Sequence, residues 1–132
     1  MIRLGLIGWP LTHSLSPELH GEAGRLAGLV IRYLLYPTPA DAVAARLTAL
    51  GAAGLRGVNV TAPHKRAAAA WVDRLDPLAA RLGAVNTVAF GAGGATTGYN
   101  TDVAGVRASL PPGPLEVAVL VGAGGAARAA LA

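Results

Sequence analysis

Short apolar runs alternate with segments whose apolar residues recur at helical spacing, and few folds accommodate that alternation. RLGLIG (3–8), VIRYLLYP (30–37) and LRGVNVTAP (55–63) are short and rich in aliphatic residues, and Pro or Gly closes each, as expected of buried strands. Between them lie helical stretches. In SPELHGEAGRLAGL the spacing predicts Ser16 as the cap and Pro17 at the first helical position. In TPADAVAARLTALGAAG, Thr38 reads as the cap, apolar residues fall at 43, 47 and 50, and glycine marks the exit. A helix starting near Pro63 should carry Lys65, and Asp76-Pro77 should open another short one. AVNTVAF and ATTGYN, joined by Gly-Ala-Gly-Gly, read as an antiparallel hairpin, followed by a helix from Thr101 to about Leu110. Strands alternating with helices predict an α/β domain with a mostly parallel sheet and flanking helices.

Composition narrows the function classes. The chain has 132 residues, 53% of them hydrophobic and 14% charged, which suits a packed core and argues against a disordered tail. No apolar run is long enough for a membrane span. A net charge of +4 would favour nucleic acid if it were concentrated, but the ten arginines are scattered singly and few aromatics stand beside them. Cysteine is absent, so disulfides and thiolate chemistry are excluded and a cytoplasmic setting is expected. The histidines at 13, 20 and 64 lack metal-ligand spacing, and no metal site is expected.

Lys65 is the one lysine of the chain. Arginine stays protonated under biological conditions, whereas a lysine amine can release and recover a proton, so Lys65 is a candidate acid/base group. Four polar clusters surround this idea: Ser14-Leu-Ser16-Pro17, Asn59-Val-Thr61-Ala-Pro63-His-Lys65, Gly83-Ala-Val-Asn86-Thr87 and Asn100-Thr101-Asp102. Each has a structural explanation when taken singly, since Ser16 and Asp102 sit where helices start and Asn59 and Asn86 where turns need amides. Together they supply hydroxyls, amides, a carboxylate and an ammonium, a mixture suited to a small, polyhydroxylated anion.

The last segment differs in character. PPGP begins a linker over 111–115, and after it an apolar run at 117–121 meets Gly122-Ala-Gly124-Gly-Ala-Ala127 and a helix-forming stretch. That order, strand, G-x-G-x-x-A and helix, is the pattern of a dinucleotide site, in which glycines let a pyrophosphate approach backbone N–H groups. The expected division is therefore a substrate-binding domain over 1–110, the linker, and over 116–132 the first strand and helix of a truncated Rossmann-like domain. The second strand and the ribose-reading residue of such a domain would lie about 20 residues further on, beyond Ala132.

HSLSP, NVTAPHK, GAVNT, NTD and GAGGAAR, in this order, resemble the successive motifs of the shikimate dehydrogenase family over residues 8–128. The resemblance covers nearly all of this chain and the first half of a family member. It implies that Ser14 and Ser16 hold a substrate carboxylate, that Asn59, Thr61, Asn86 and Asp102 bind ring hydroxyls, and that Lys65 and Asp102 form the catalytic pair. It also implies that Gly122, Ala123, Gly124, Gly125 and Ala126 line the NADP pyrophosphate. The implied reaction is the reversible reduction of 3-dehydroshikimate to shikimate with NADPH, a step toward aromatic amino acids. Two alternatives stand beside it: a quinate/shikimate dehydrogenase with broader substrate or NAD use, and a shikimate-binding fragment without catalysis. No nucleic-acid or membrane partner is expected, and the sequence leaves the oligomeric state open.

Overall fold

The computed structural model describes residues 1–113 and 116–132. Along the chain run β1 (Ile2–Gly8), α1 (Ser16–Leu26), β2 (Ile31–Pro37), a 3-10 turn at Ala40–Ala42, α2 (Val43–Ala52) and β3 (Gly57–Val60). There follow α3 (Lys65–Trp71), β4 (Arg74–Leu75), α4 (Pro77–Leu82), β5 (Thr87–Phe90), a 3-10 turn at Ala92–Gly94, β6 (Thr96–Tyr99), α5 (Asp102–Ser109) and α6 (Gly125–Ala130). The strands form one sheet in the order β2-β1-β3-β5-β6-β4. β1 pairs parallel with β2 and β3, and β4 pairs parallel with β6, while β5 runs antiparallel to both of its neighbours. The expected α/β class, largely parallel sheet and 87–99 hairpin are all present.

Strand alternation divides the molecule into two faces of different chemistry. On β3, Val58 and Val60 point into the main core with Ile7, Val88 and the buried Val43, Leu47 and Leu50 of α2. The opposite face carries a smaller cluster, Leu6, Leu11 and Tyr33, with Leu4, Ile31 and Leu35 packed against it. Asn59 lies between Val58 and Val60 in sequence, so it belongs to this second face.

Two expected caps fail for the same reason: each hydroxyl has a different partner. Ser16 is itself the first residue of α1, so Leu15 stands at the cap position without a side-chain cap, and the Ser16 N–H donates to Ser14 Oγ at 3.3 Å. Thr38 is fully buried, donates its hydroxyl to Tyr36 O at 2.7 Å, and leaves the chain to enter α2 through the 3-10 turn. Asp76 does cap α4, accepting from the N–H groups of Leu78 (3.0 Å) and Ala79 (3.2 Å), and Gly83 closes that helix in the left-handed region at φ 60°. The short strand β4 has no counterpart in the sequence reading, because two residues, Arg74 and Leu75, carry no periodicity.

The expected strand at 117–121 is not a strand. Val117, Val119 and Val121 are 80%, 85% and 94% exposed, and no strand among the described residues lies beside them. A parallel strand depends on ladder partners and on covered faces, and here it has neither. The helix that follows does form: Ala129 of α6 is buried with Leu82, Ala84 and Val103, and Arg128 Nη1 donates to Leu82 O at 3.1 Å. The expected linker, 111–115, lies partly outside the described residues. No helix among them is long and apolar enough to cross a membrane.

Replacing Asp76 with Ala should cost about 1 kcal/mol through loss of the α4 cap, with Asp76→Asn restoring most of it. The midpoint of urea unfolding measures this, and an unchanged midpoint for the Ala variant would contradict the capping role.

Candidate active site

Every polar cluster singled out in the sequence reaches one edge of the sheet. The carboxyl ends of β1 and β3 lead into the Pro10–Ser16 loop and Thr61, and β6 leads into Thr101 and Asp102. Asn86 reaches the same edge because β5 is reversed and the residue precedes its first position. Ser14, Ser16, Asn59, Thr61, Lys65, Asn86 and Asp102 all line one cleft of about 550 Å³, together with Leu6, Leu11 and the backbone turn around His13.

At the centre stands an ion pair. Lys65 Nζ lies 2.6 Å from Asp102 Oδ2, with side chains 16% and 26% exposed, so the pair is shielded yet open to the cleft. Both partners are first residues of helices, α3 and α5, which join the sheet at separate points. The start of α3 is pinned from behind, where buried His64 Nε2 donates to Thr38 O at 2.6 Å. Val85 N–H donates to Lys65 O at 2.9 Å and ties α3 to the segment before β5. The start of α5 is held by Asn100, whose Oδ1 accepts from Asp102 N–H at 3.0 Å and whose Nδ2 donates to Ala84 O at 3.0 Å.

Asn86 joins the pair to the rest of the cleft. Its Nδ2 donates to Asp102 Oδ1 at 2.8 Å and Thr101 Oγ1 at 2.9 Å, while its Oδ1 accepts from Thr101 N–H at 2.9 Å and Thr87 Oγ1 at 3.1 Å. Asp102 thus binds a cation through one oxygen and an amide through the other, which fixes the plane of its carboxylate. Asn59 Nδ2 donates to Thr87 Oγ1 at 3.1 Å. Ser14 Oγ donates to Ser16 Oγ at 3.1 Å, so the two hydroxyls stand together at the amino end of α1, where helix N–H groups favour negative charge.

Tyr33 belongs to this site without having been legible in the sequence, where it is one aromatic in an apolar run. Its hydroxyl donates to Asn59 Oδ1 at 2.8 Å and its ring stacks on His20 at a centroid distance of 4.2 Å. His20 Nδ1 in turn bonds Ser16 O at 2.9 Å. Burial pushes the phenol from 10.0 up to about 12, with the Ser16 hydroxyl acting in the opposite direction, so Tyr33 stays a neutral donor throughout the physiological range.

Gly122, Ala123, Gly124, Gly125 and Ala126 lie outside the cleft lining. Gly122 has φ 125°, a conformation side chains rarely adopt, and a Cβ built on Gly122 or Gly124 would meet nothing within 4 Å, so the backbone of these two glycines is open to an approaching group. Gly125 faces inward instead, where a Cβ would come within 2.9 Å of Lys65 Cδ, so the glycine run begins its helix against the lysine stem. Among the described residues, no group of three or more His, Asp or Glu is placed to hold a metal ion.

The structure is an α/β domain whose mostly parallel sheet carries an amide-, hydroxyl- and amine-lined cleft at one strand edge. Its residues 6–88 match the model of the shikimate dehydrogenase substrate binding domain, and the chain belongs to that family. It is 50% identical over 130 residues to the shikimate dehydrogenase (NADP(+)) of Halobacterium salinarum, covering 96% of this chain and 48% of that protein. The crystal structure of shikimate dehydrogenase 1 from Peptoclostridium difficile superposes with a TM-score of 0.90 at 34% identity, over 99% of this chain and 51% of that one. That of the Thermus thermophilus enzyme in complex with shikimate gives 0.85 at 42% identity, over 98% and 50%. The chain spans about half the length of the curated relatives it matches.

The raised folded-state value of Tyr33 sets the sign of an alkaline effect. Stability from this group is fully present below the unfolded value of 10.0 and is lost as pH rises through about 12. Phenolate absorbance at alkaline pH should show a component titrating near 12 that Tyr33→Phe abolishes; its persistence in that variant would assign it elsewhere.

Proposed function

We propose that this chain is the substrate-binding half of an NADP-dependent shikimate dehydrogenase, which interconverts 3-dehydroshikimate and shikimate on the way to aromatic amino acids. The observation that carries the reading is the shielded Lys65–Asp102 pair, 2.6 Å apart in a cleft lined by hydroxyls and amides. Support also comes from the family membership and from the printed names of relatives, among them shikimate dehydrogenase (NADP(+)) and a complex with shikimate. A cytoplasmic setting goes with that role.

In this reading the Ser14 and Ser16 hydroxyls hold the substrate carboxylate at the start of α1. Asn59, Thr61, Asn86 and Asp102 bind the ring hydroxyls. Reduction of the ketone turns its oxygen into an alkoxide that must gain a proton, and the Lys65 ammonium stands ready to give one. In the oxidation the same amine takes the proton back. Asp102 fixes the direction of the Lys65 N–H bonds. NADP, when bound, supplies or accepts the hydride, and Gly122 to Ala126 are the residues that would hold its pyrophosphate. We also propose that 116–132 belong to that nucleotide domain, with 1–110 forming the substrate domain.

In the full-length protein, Lys65→Arg should lower kcat by roughly a hundredfold or more while substrate binding weakens less, because a guanidinium binds an oxygen but does not exchange its proton. Unchanged turnover would remove Lys65 from the chemistry. Ser14→Ala should chiefly raise the KM for shikimate, with little effect on a ligand that lacks the carboxylate. Titration calorimetry of the wild-type chain with shikimate and, separately, with NADPH distinguishes an enzyme half from a module that binds substrate alone.

A further inference from the structure

Thr87 has no role in the chemistry above and does not line the cleft, yet two of the cleft's amides meet at its hydroxyl. It opens β5 directly opposite Asn59 in the antiparallel β3–β5 ladder. Directly opposed residues share a face with Cβ atoms about 5 Å apart, so the contact between them follows from register.

Thr87 Oγ1 accepts from Asn59 Nδ2 and donates to Asn86 Oδ1, both at 3.1 Å. A hydroxyl has a single proton to give. Once that proton goes to Asn86, only the NH2 group of Asn59 can face Thr87, and the Asn59 carbonyl must face Tyr33, whose O–H donates to it at 2.8 Å. Turning the Asn59 carboxamide over would bring two donors together at Tyr33 unless its phenol also turned. It would also draw the Thr87 proton away from Asn86 Oδ1. Asn86 in turn holds Asp102 Oδ1 at 2.8 Å through its NH2 group, and Asp102 holds Lys65. The orientations of the two carboxamides are therefore linked through one proton.

We infer that Thr87 is a positioning residue: its hydroxyl, directed by the Asn86 oxygen that Thr101 N–H and Asp102 hold in place, relays that orientation to the Asn59 carboxamide and so decides which Asn59 atom faces the ligand. The linkage stands on the hydrogen bonds alone, whereas its consequence for substrate rests on the function proposed above.

Thr87→Val keeps the side-chain shape and removes the hydroxyl, and Thr87→Ser keeps the hydroxyl. In the full-length protein, Thr87→Val should raise the KM for shikimate about tenfold with a smaller effect on kcat, and Thr87→Ser should restore most of the loss. Side-chain amide NMR supplies a readout independent of activity: the NH2 signals of Asn59 should move in Thr87→Val and stay near their original positions in Thr87→Ser. Asn59 signals that stay in place in Thr87→Val, or a Ser variant as impaired as the Val one, would overturn the inference. Movement of the Asn59 signals in a protein that fails to bind shikimate would uphold the linkage and refute the substrate reading. If Thr87→Val does not fold, Tyr33→Phe tests the chain from its other end and should move the Asn59 signals while those of Asn86, held by Thr101 and Asp102, stay in place.

Discussion

β5 enters the sheet between β3 and β6 in the direction opposite to theirs, and the placement of the cleft's polar groups follows from that reversal. With its amino end at the edge where β1, β3 and β6 finish, the residue before β5 stands among residues that follow the other strands. Asn86 can then reach Asp102 and Thr101 directly. Had β5 run parallel, its first residues would lie at the far end of the sheet, and the amide that steadies the Asp102 carboxylate would be missing.

The two faces of the sheet divide the work. Val58, Val60 and Val88 bury one face against α2 and form the larger core, which supplies the hydrophobic stabilisation. The other face bears Tyr33, Asn59 and Thr87 on three different strands, a polar row bound by short hydrogen bonds. A row of this kind contributes little net stability and much orientation, because each buried donor has one acceptor that satisfies it. None of the buried side-chain polar atoms among the described residues lacks a partner.

Much of this was legible before any coordinates. Pro and Gly punctuation placed most strands and helices to within a few residues, and the ordered motifs held seven of the residues that line the cleft. Tyr33 was not legible, since its hydroxyl meets Asn59 across an intervening strand, a contact between residues 26 positions apart. The misread caps at Ser16 and Thr38 show a related limit: a hydroxyl beside a helix start has several local acceptors, and tertiary burial chooses among them. At 117–121 the apolar pattern was that of a strand, but a ladder needs a neighbour as well as a pattern.

The inward-facing glycine of α6 connects two parts of the molecule that are usually considered apart. Because Gly125 abuts the methylenes of Lys65, a bulkier residue there would displace the amine. A substitution within the glycine run is thus also a change beside the Lys65–Asp102 pair.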